Sequence, residues 1–309
     1  MFINIILLII GFILLIKGAD IFVDGASAIA LLLKIPPIII GLTIVAFGTS
    51  APEAAVSIVA ALENSSAISI SNVIGSNIFN VLAVLGINGL ICSLPISRQV
   101  IRKDLPILCL STILTLLFMI DGKFTRIEGL IFLLCIILYV IMLVRYSLAN
   151  SVEKEDEEKP MSLSKAILFS IIGIAGIIIG GQLTVDSAKA IALDLGMSEK
   201  LVGLTIVSIG TSLPELVTGI VAARKHETDI AIGNVVGSCL FNLLFILGIS
   251  SSICPYSFEM VLYIDAIIMT AVIILLYVIA LVFKKVDKKQ AILFIILFII
   301  YMIYIIYRN

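Results

Sequence analysis

Residues 41–53 read GLTIVAFGTSAPE, and residues 203–215 read GLTIVSIGTSLPE. Ten of the thirteen positions are identical, at an offset of 162 residues. A second pair keeps that offset: NVIGSNIFNVLAVLG at 72–86 and NVVGSCLFNLLFILG at 234–248, with nine identities in fifteen. Gly18, Asp24 and Leu31 match Gly180, Asp186 and Leu193 in the same register. The chain is therefore duplicated, and the most similar residues include polar ones set inside apolar stretches.

Composition states what surrounds those stretches. Of 309 residues, 61% are apolar and 13% charged, against roughly 25% charged in an ordinary soluble domain. Mean hydropathy is +1.26. A water-soluble fold cannot hide that much apolar side chain. Soluble enzymes, disordered chains and fibrous repeats are excluded. An outer-membrane barrel would alternate apolar and polar residues, which this chain does not. A helical membrane protein remains. The net charge of −1 leaves no basic footprint for nucleic acid. Cys92, Cys109, Cys135, Cys239 and Cys254 form no CxxC pair and are odd in number. They read as packing residues rather than metal ligands or a disulfide framework. His226 stands alone in a charged turn and reads as a solvated loop residue. The N-terminus lacks a basic leader region and runs too long for a signal peptide, so it reads as the first membrane span.

A membrane helix needs about 20 apolar residues. Cutting at charge, Pro and Gly yields ten segments: 3–32, 37–61, 68–93, 105–120, 127–147, 165–194, 200–223, 229–252, 260–283 and 290–307. Fourteen of the twenty Lys and Arg fall in loops on one face, among them Lys34, Arg102, Lys103, Arg224, Lys225 and Lys285. Four fall on the other: Lys123, Arg126, Lys200 and Arg308. Positive charge marks the cytoplasmic face, so both termini are expected outside, in a multi-pass protein of the cell membrane. Residues 150–164, rich in Glu and Asp, divide the halves and read as a cytoplasmic linker. The expected domains are 1–149 and 165–309. Each holds five spans, an odd number, so the second must enter the membrane from the opposite face. The expected fold is all-α, with ten transmembrane helices as two inverted five-helix repeats. Such repeats build secondary transporters, with the substrate site near the midplane on interrupted helices.

The chemistry inside the membrane is specific. Pro52 and Pro214 must kink or break their helices, because proline lacks an N–H and clashes one turn back. The carbonyls of Gly48 and Gly210 lose their partners and need another, such as a cation. Thr49, Ser50, Thr211 and Ser212 add hydroxyls. Glu53 and Glu215 add charge that costs about 2.5–3.5 kcal/mol each at the bilayer centre. An all-oxygen set suits calcium or sodium, and suits transition metals poorly. Asn72, Ser76 and Asn80 are spaced four apart and share a helix face, as do Asn234, Ser238 and Asn242. Ser76, Asn80, Ser238 and Asn242 are expected at the site. Asn72 and Asn234 are expected to be interhelical ties, and Asp24 and Asp186 to be structural.

The paired GTSxPE motifs, their spacing and the GSxxxN helices resemble the sodium/calcium exchanger branch of the calcium/cation antiporter superfamily, over nearly the whole chain. The resemblance implies two inverted five-helix repeats whose long first and sixth helices slide against a bundle of ion-binding helices. It implies calcium ligands at Glu53, Glu215, Thr49 and Thr211, completed by Asn80 and Asn242. It implies sodium ligands at Ser50, Ser212, Ser76, Ser238 and the carbonyls of Ala46 and Ser208. Some members carry an aspartate on one of the two asparagine helices. Here both positions are asparagine, which weakens the case for potassium co-transport. The implied activity is sodium/calcium antiport by alternating access. No enzyme activity or cofactor is implied; the partners are calcium, sodium and the lipid bilayer, and the protein is expected to be a monomer. Proton-coupled calcium antiport on the same fold, and a cation channel, are the rival readings.

Overall fold

The computed structural model describes residues 1–63, 66–150, 161–196, 208–257 and 260–308. Its helices are α1 (Phe2–Leu32), α2 (Pro37–Thr49), α3 (Ala51–Leu62), α4 (Ile68–Ile91), α5 (Leu105–Phe118), α6 (Arg126–Ala149), α7 (Leu163–Asp194), α8 (Ser208–Gly210), α9 (Leu213–Arg224), α10 (Thr228–Ile253), α11 (Met260–Phe283) and α12 (Lys288–Arg308). Seven are long and apolar enough to cross a membrane, and the bent pair α2–α3 makes an eighth. Two of the ten expected segments fall outside that count. The fourth, α5, has only 14 residues and follows a π-helical turn at Val100–Asp104. The seventh begins among residues 197–207, outside the described residues, as do 151–160 of the linker. The other helix ends fall within about two residues of the expected ones, because charge, Pro and Gly mark where apolar runs stop.

Burial sorts the helices. Of the most apolar stretch, 94% is buried in α10 and 78% in α4, against 17% in α12 and 22% in α1. The two helices that carry the polar stripes are therefore the centre of the bundle. The outer helices expose Ile, Leu and Phe, such as Phe2, Ile13, Ile171 and Ile303. A helix apolar on all sides belongs in lipid.

α1 and α7 pack against each other along most of their length. Gly18 lets the backbones approach: a Cβ there would lie 2.7 Å from the Ile177 nitrogen. Without a hydrophobic drive between helices in lipid, such close packing is what holds a pair together. In its second half, α1 is also tied by Lys225, whose Nζ lies 2.7 Å from Asp20 Oδ1 and 2.6 Å from Asp24 Oδ1. These groups are partly exposed, so each pair contributes about 0.2–1 kcal/mol.

Two short antiparallel strand pairs join the halves. β1 (Leu94–Pro95) pairs with β4 (Lys285–Val286), and β2 (Lys123–Phe124) pairs with β3 (Tyr256–Ser257). Shifting β1 and β2 by 162 residues lands on β3 and β4, so the two pairings are one contact seen twice. Thr125 starts α6 with a capping box, its Oγ1 accepting from the Glu128 N–H while its own N–H donates to Glu128 Oε2 at 2.6 Å. At the far end of the chain, Arg308 donates from Nη1 and Nη2 to both oxygens of Asp265, at 2.7 and 3.0 Å. Asp265 is 4% exposed, and this fork holds the end of α12 to α11.

Replacing Gly18 with Leu should force the α1 and α7 backbones apart and cost about 1–3 kcal/mol. Thermal unfolding of the purified protein in detergent is expected to move down by several degrees, whereas Ile13→Leu on the exposed face should leave it unchanged.

Candidate functional site

Helix breaks position the acids. The first half breaks at Ser50 (φ −85°, ψ 9°), between α2 and α3, with a bend of 49°. The second breaks at Ser212 (φ −94°, ψ 8°), before α9. Pro52 and Pro214 each stand within the first two residues of the helix that follows, where the missing N–H costs no bond. The expected breaks are thus present, each one residue before the new helix. Glu53 and Glu215 consequently sit in first turns, where the positive end of the helix dipole favours a carboxylate.

Thr49, Ser50, Glu53, Asn80, Ser212, Glu215, Ser238 and Asn242 are fully buried, Ser76 nearly so, and Thr211 is half-buried. Their hydrogen bonds come in matched pairs, two of which cross between the halves and one of which lies within each half. Ser50 donates to Glu215 Oε1 at 2.7 Å, and Ser212 donates to Glu53 Oε1 at 2.9 Å. Thr49 donates to Asn234 Oδ1 at 3.0 Å, and Thr211 to Asn72 Oδ1 at 3.5 Å. Asn72 donates to the Glu53 carbonyl at 3.2 Å, and Asn234 to the Glu215 carbonyl at 3.3 Å. Asn72 and Asn234 therefore tie helices together, as expected, and carry each glutamate's backbone on a striped helix. Ser76 lies 3.4 Å from Glu53 Oε1 and 3.1 Å from Ser212 Oγ. The Ala46 carbonyl receives the Thr49 hydroxyl at 3.3 Å and the Ser238 hydroxyl at 3.5 Å. Ser208 opens α8; the residues before it lie outside the described ones. Asp24 pairs with Lys225, and Asp186 accepts from Gln182, both of them ties rather than site contacts.

Four oxygens of the glutamates and their neighbouring asparagines are left over. Glu53 Oε2, Glu215 Oε2, Asn80 Oδ1 and Asn242 Oδ1 are buried and find no hydrogen-bond partner among the described residues. One comes from each of α3, α9, α4 and α10. An unsatisfied buried acceptor costs about 1–3 kcal/mol, and more when charged. Among the described residues neither glutamate has an ion-pair partner. Two carboxylates, two amide oxygens and nearby hydroxyls are all hard oxygen donors, the chemistry that suits a dehydrated calcium or sodium ion.

Some features carry no signal in the repeat. Wide π-helical turns occupy Asn80–Val84 and Phe241–Ile246, so Asn80 and Asn242 sit where the helix register shifts. Such turns are frequent at functional sites. Asn77 donates to the Cys239 carbonyl at 3.3 Å and accepts from Asn242 Nδ2 at 3.1 Å. It matches Cys239 rather than another asparagine, which hid it from a comparison of the halves. Asn88 and Ser250 extend each polar stripe by two more turns and are buried. That spacing of eight residues from Asn80 and Asn242 was the available signal.

The sequence model of the family described as sodium/calcium exchanger protein matches residues 3–145 and 165–307. Sodium/calcium exchanger MaX1 of Methanosarcina acetivorans is 31% identical over 320 residues, covering 89% of this chain and 91% of that one. Inner membrane protein YrbG of Escherichia coli (strain K12) is 35% identical over 268 residues, covering 83% and 82%. The solved structure of the sodium-calcium exchanger NCX_Mj, soaked with 2.5 mM Na+ and 1 mM Sr2+, superposes with a TM-score of 0.87 at 33% identity and covers 97% of each chain.

A bound ion stabilises the folded state by about 2.7 kcal/mol at a hundredfold excess over Kd. Calcium should therefore raise the melting temperature of the purified protein. Ser50→Ala and Ser212→Ala should each shrink that rise, and by similar amounts, because each removes one of two equivalent cross-half bonds.

Proposed function

We propose that this chain, which belongs to the sodium/calcium exchanger family, exchanges sodium for calcium across its membrane by alternating access at a midplane carboxylate site. The observation that carries this reading is the reciprocal bonding of Ser50 to Glu215 and Ser212 to Glu53. It makes one site from two halves, and each half contributes one acid.

In this reading Glu53, Glu215, Thr49 and Thr211 hold calcium, with Asn80 and Asn242 completing the centre. Ser50, Ser212, Ser76, Ser238 and the carbonyls of Ala46 and Ser208 hold sodium. The two ions compete for the same carboxylates, so occupancy by one excludes the other. Calcium carries enough charge to neutralise both acids, and more than one sodium can do the same. A neutralised site lowers the barrier for α1 and α7 to slide past. An empty one leaves charge facing an apolar seal, which blocks uncoupled leak.

The architecture we propose is ten spans in two inverted repeats, 1–149 and 165–309, joined by a cytoplasmic linker at 150–164. Both termini are outside, and the monomer is the working unit. Three observations support it. The two family matches begin and end 162 residues apart, as the duplicated motifs do. The β1–β4 pair joins two loops that this arrangement puts on the cytoplasmic face, and β2–β3 joins two that it puts outside. Loops on opposite faces of a bilayer could not pair.

Glu53→Gln and Glu215→Gln should each abolish calcium-45 uptake into sodium-loaded proteoliposomes and leave the folded protein intact by size exclusion. Normal flux in either variant would remove the carboxylates from the mechanism. Uptake that follows a proton gradient and ignores sodium would keep the site and replace the coupling ion.

A further inference from the structure

The second half of α1 is held by a lysine that has no counterpart in the other repeat. Lys225 follows α9, ten residues beyond Glu215. Its ammonium reaches Asp20 Oδ1 at 2.7 Å, the Asp20 carbonyl at 2.9 Å and Asp24 Oδ1 at 2.6 Å. Burial works against the charged lysine, but hydrogen bonds and charge from Asp20 and Asp24 outweigh it and raise its pKa above the ordinary value. Asp20 and Asp24 stand four residues apart on one face of α1. One ammonium therefore clips two turns of that helix to the end of the helix bearing a site carboxylate.

The equivalent positions 162 residues away are Gln182 for Asp20, Asp186 for Asp24 and Glu63 for Lys225. The chemistry is reversed. Gln182 Nε2 donates to both Asp186 oxygens, at 3.1 and 3.0 Å, within α7 itself. Glu63 carries the same sign as Asp186 and cannot ion-pair with it. The backbone architecture is duplicated, but among the described residues these positions form the clip in one half and not in the other.

We infer that Lys225 is a positioning residue that biases the exchange cycle toward the arrangement seen here, in which α1 is held against the end of α9 on the proposed cytoplasmic face. The inference rests on the alternating-access reading, in which α1 and α7 move together against the core. When the pair slides, the Lys225 contacts must open, and on the other face no ion pair between these positions compensates. Two partly exposed ion pairs shift such an equilibrium by roughly 3- to 10-fold. That is enough to make apparent ion affinity differ between faces without changing a single ligand.

The test uses the full chain in nanodiscs, read by hydrogen–deuterium exchange, beside sided flux in vesicles. Lys225→Glu should speed exchange in residues 20–32 by roughly 3- to 10-fold. It should also shift the calcium concentration that half-saturates uptake, in opposite directions on the two faces. Adding Asp24→Lys to Lys225→Glu restores an ion pair of reversed polarity and should return both readings toward wild type. Glu63→Lys should build the missing clip against Asp186 and slow exchange in residues 182–194. Unchanged exchange in both Lys225→Glu and Glu63→Lys would overturn the inference. So would a Lys225→Glu effect that Asp24→Lys fails to rescue. The hydrogen-exchange arm needs no transported ion. If the wild-type protein carried no calcium, the exchanger reading would fall while the clip could still be read.

Discussion

A carboxylate buried inside an apolar helix bundle needs partners, and two facing carboxylates need them more. The structure meets this constraint by letting each half supply the hydroxyl that holds the other half's acid. Ser50 serves Glu215, and Ser212 serves Glu53. Much else follows from that exchange. The helices break where they do so that serine and glutamate can both face the other half within one turn. The striped helices α4 and α10 are buried at the centre because their asparagines must reach the broken backbone. The outer helices are left to meet lipid.

The arrangement also explains why an oxygen is left free on each glutamate. The cross-half serine takes Oε1, while Oε2 of each acid has no donor. A fully satisfied pair would be a stable structural joint with little reason to release anything. A half-satisfied pair holds its geometry and keeps an unmet demand for positive charge. Asparagine at both 80 and 242 limits that demand to two negative charges, which one divalent ion can balance.

Much of this was legible in the residues themselves. The repeated GLTIV and GTSxPE runs locate the breaks, because proline acts locally and identically in both copies. The charge clusters locate the helix ends, because lipid and water divide there. What escaped was non-local or lacked a side-chain signature. A π turn changes backbone register, and nothing in the residue types around Asn80 announces it. Asn77 matters because it touches Asn242 across the interface, yet its duplicate is a cysteine. Lys225 looked like any positive loop residue until α1 was seen beside it. Comparing the halves finds what duplication preserved and is blind to what each half acquired afterwards.

The strand pairs bear on origins. β1 pairs with β4 and β2 with β3, so each strand of one half finds its partner in the other. A half-length chain would carry two open edges, one on each side of the membrane in the proposed arrangement. The natural cover for both is a second copy inserted upside down. An ancestor of that kind would need nearly equal positive charge on its two faces, so that it could insert in either orientation. Joining two copies in one gene would then have freed each half to acquire its own charge bias, and with it a permanent inside and outside.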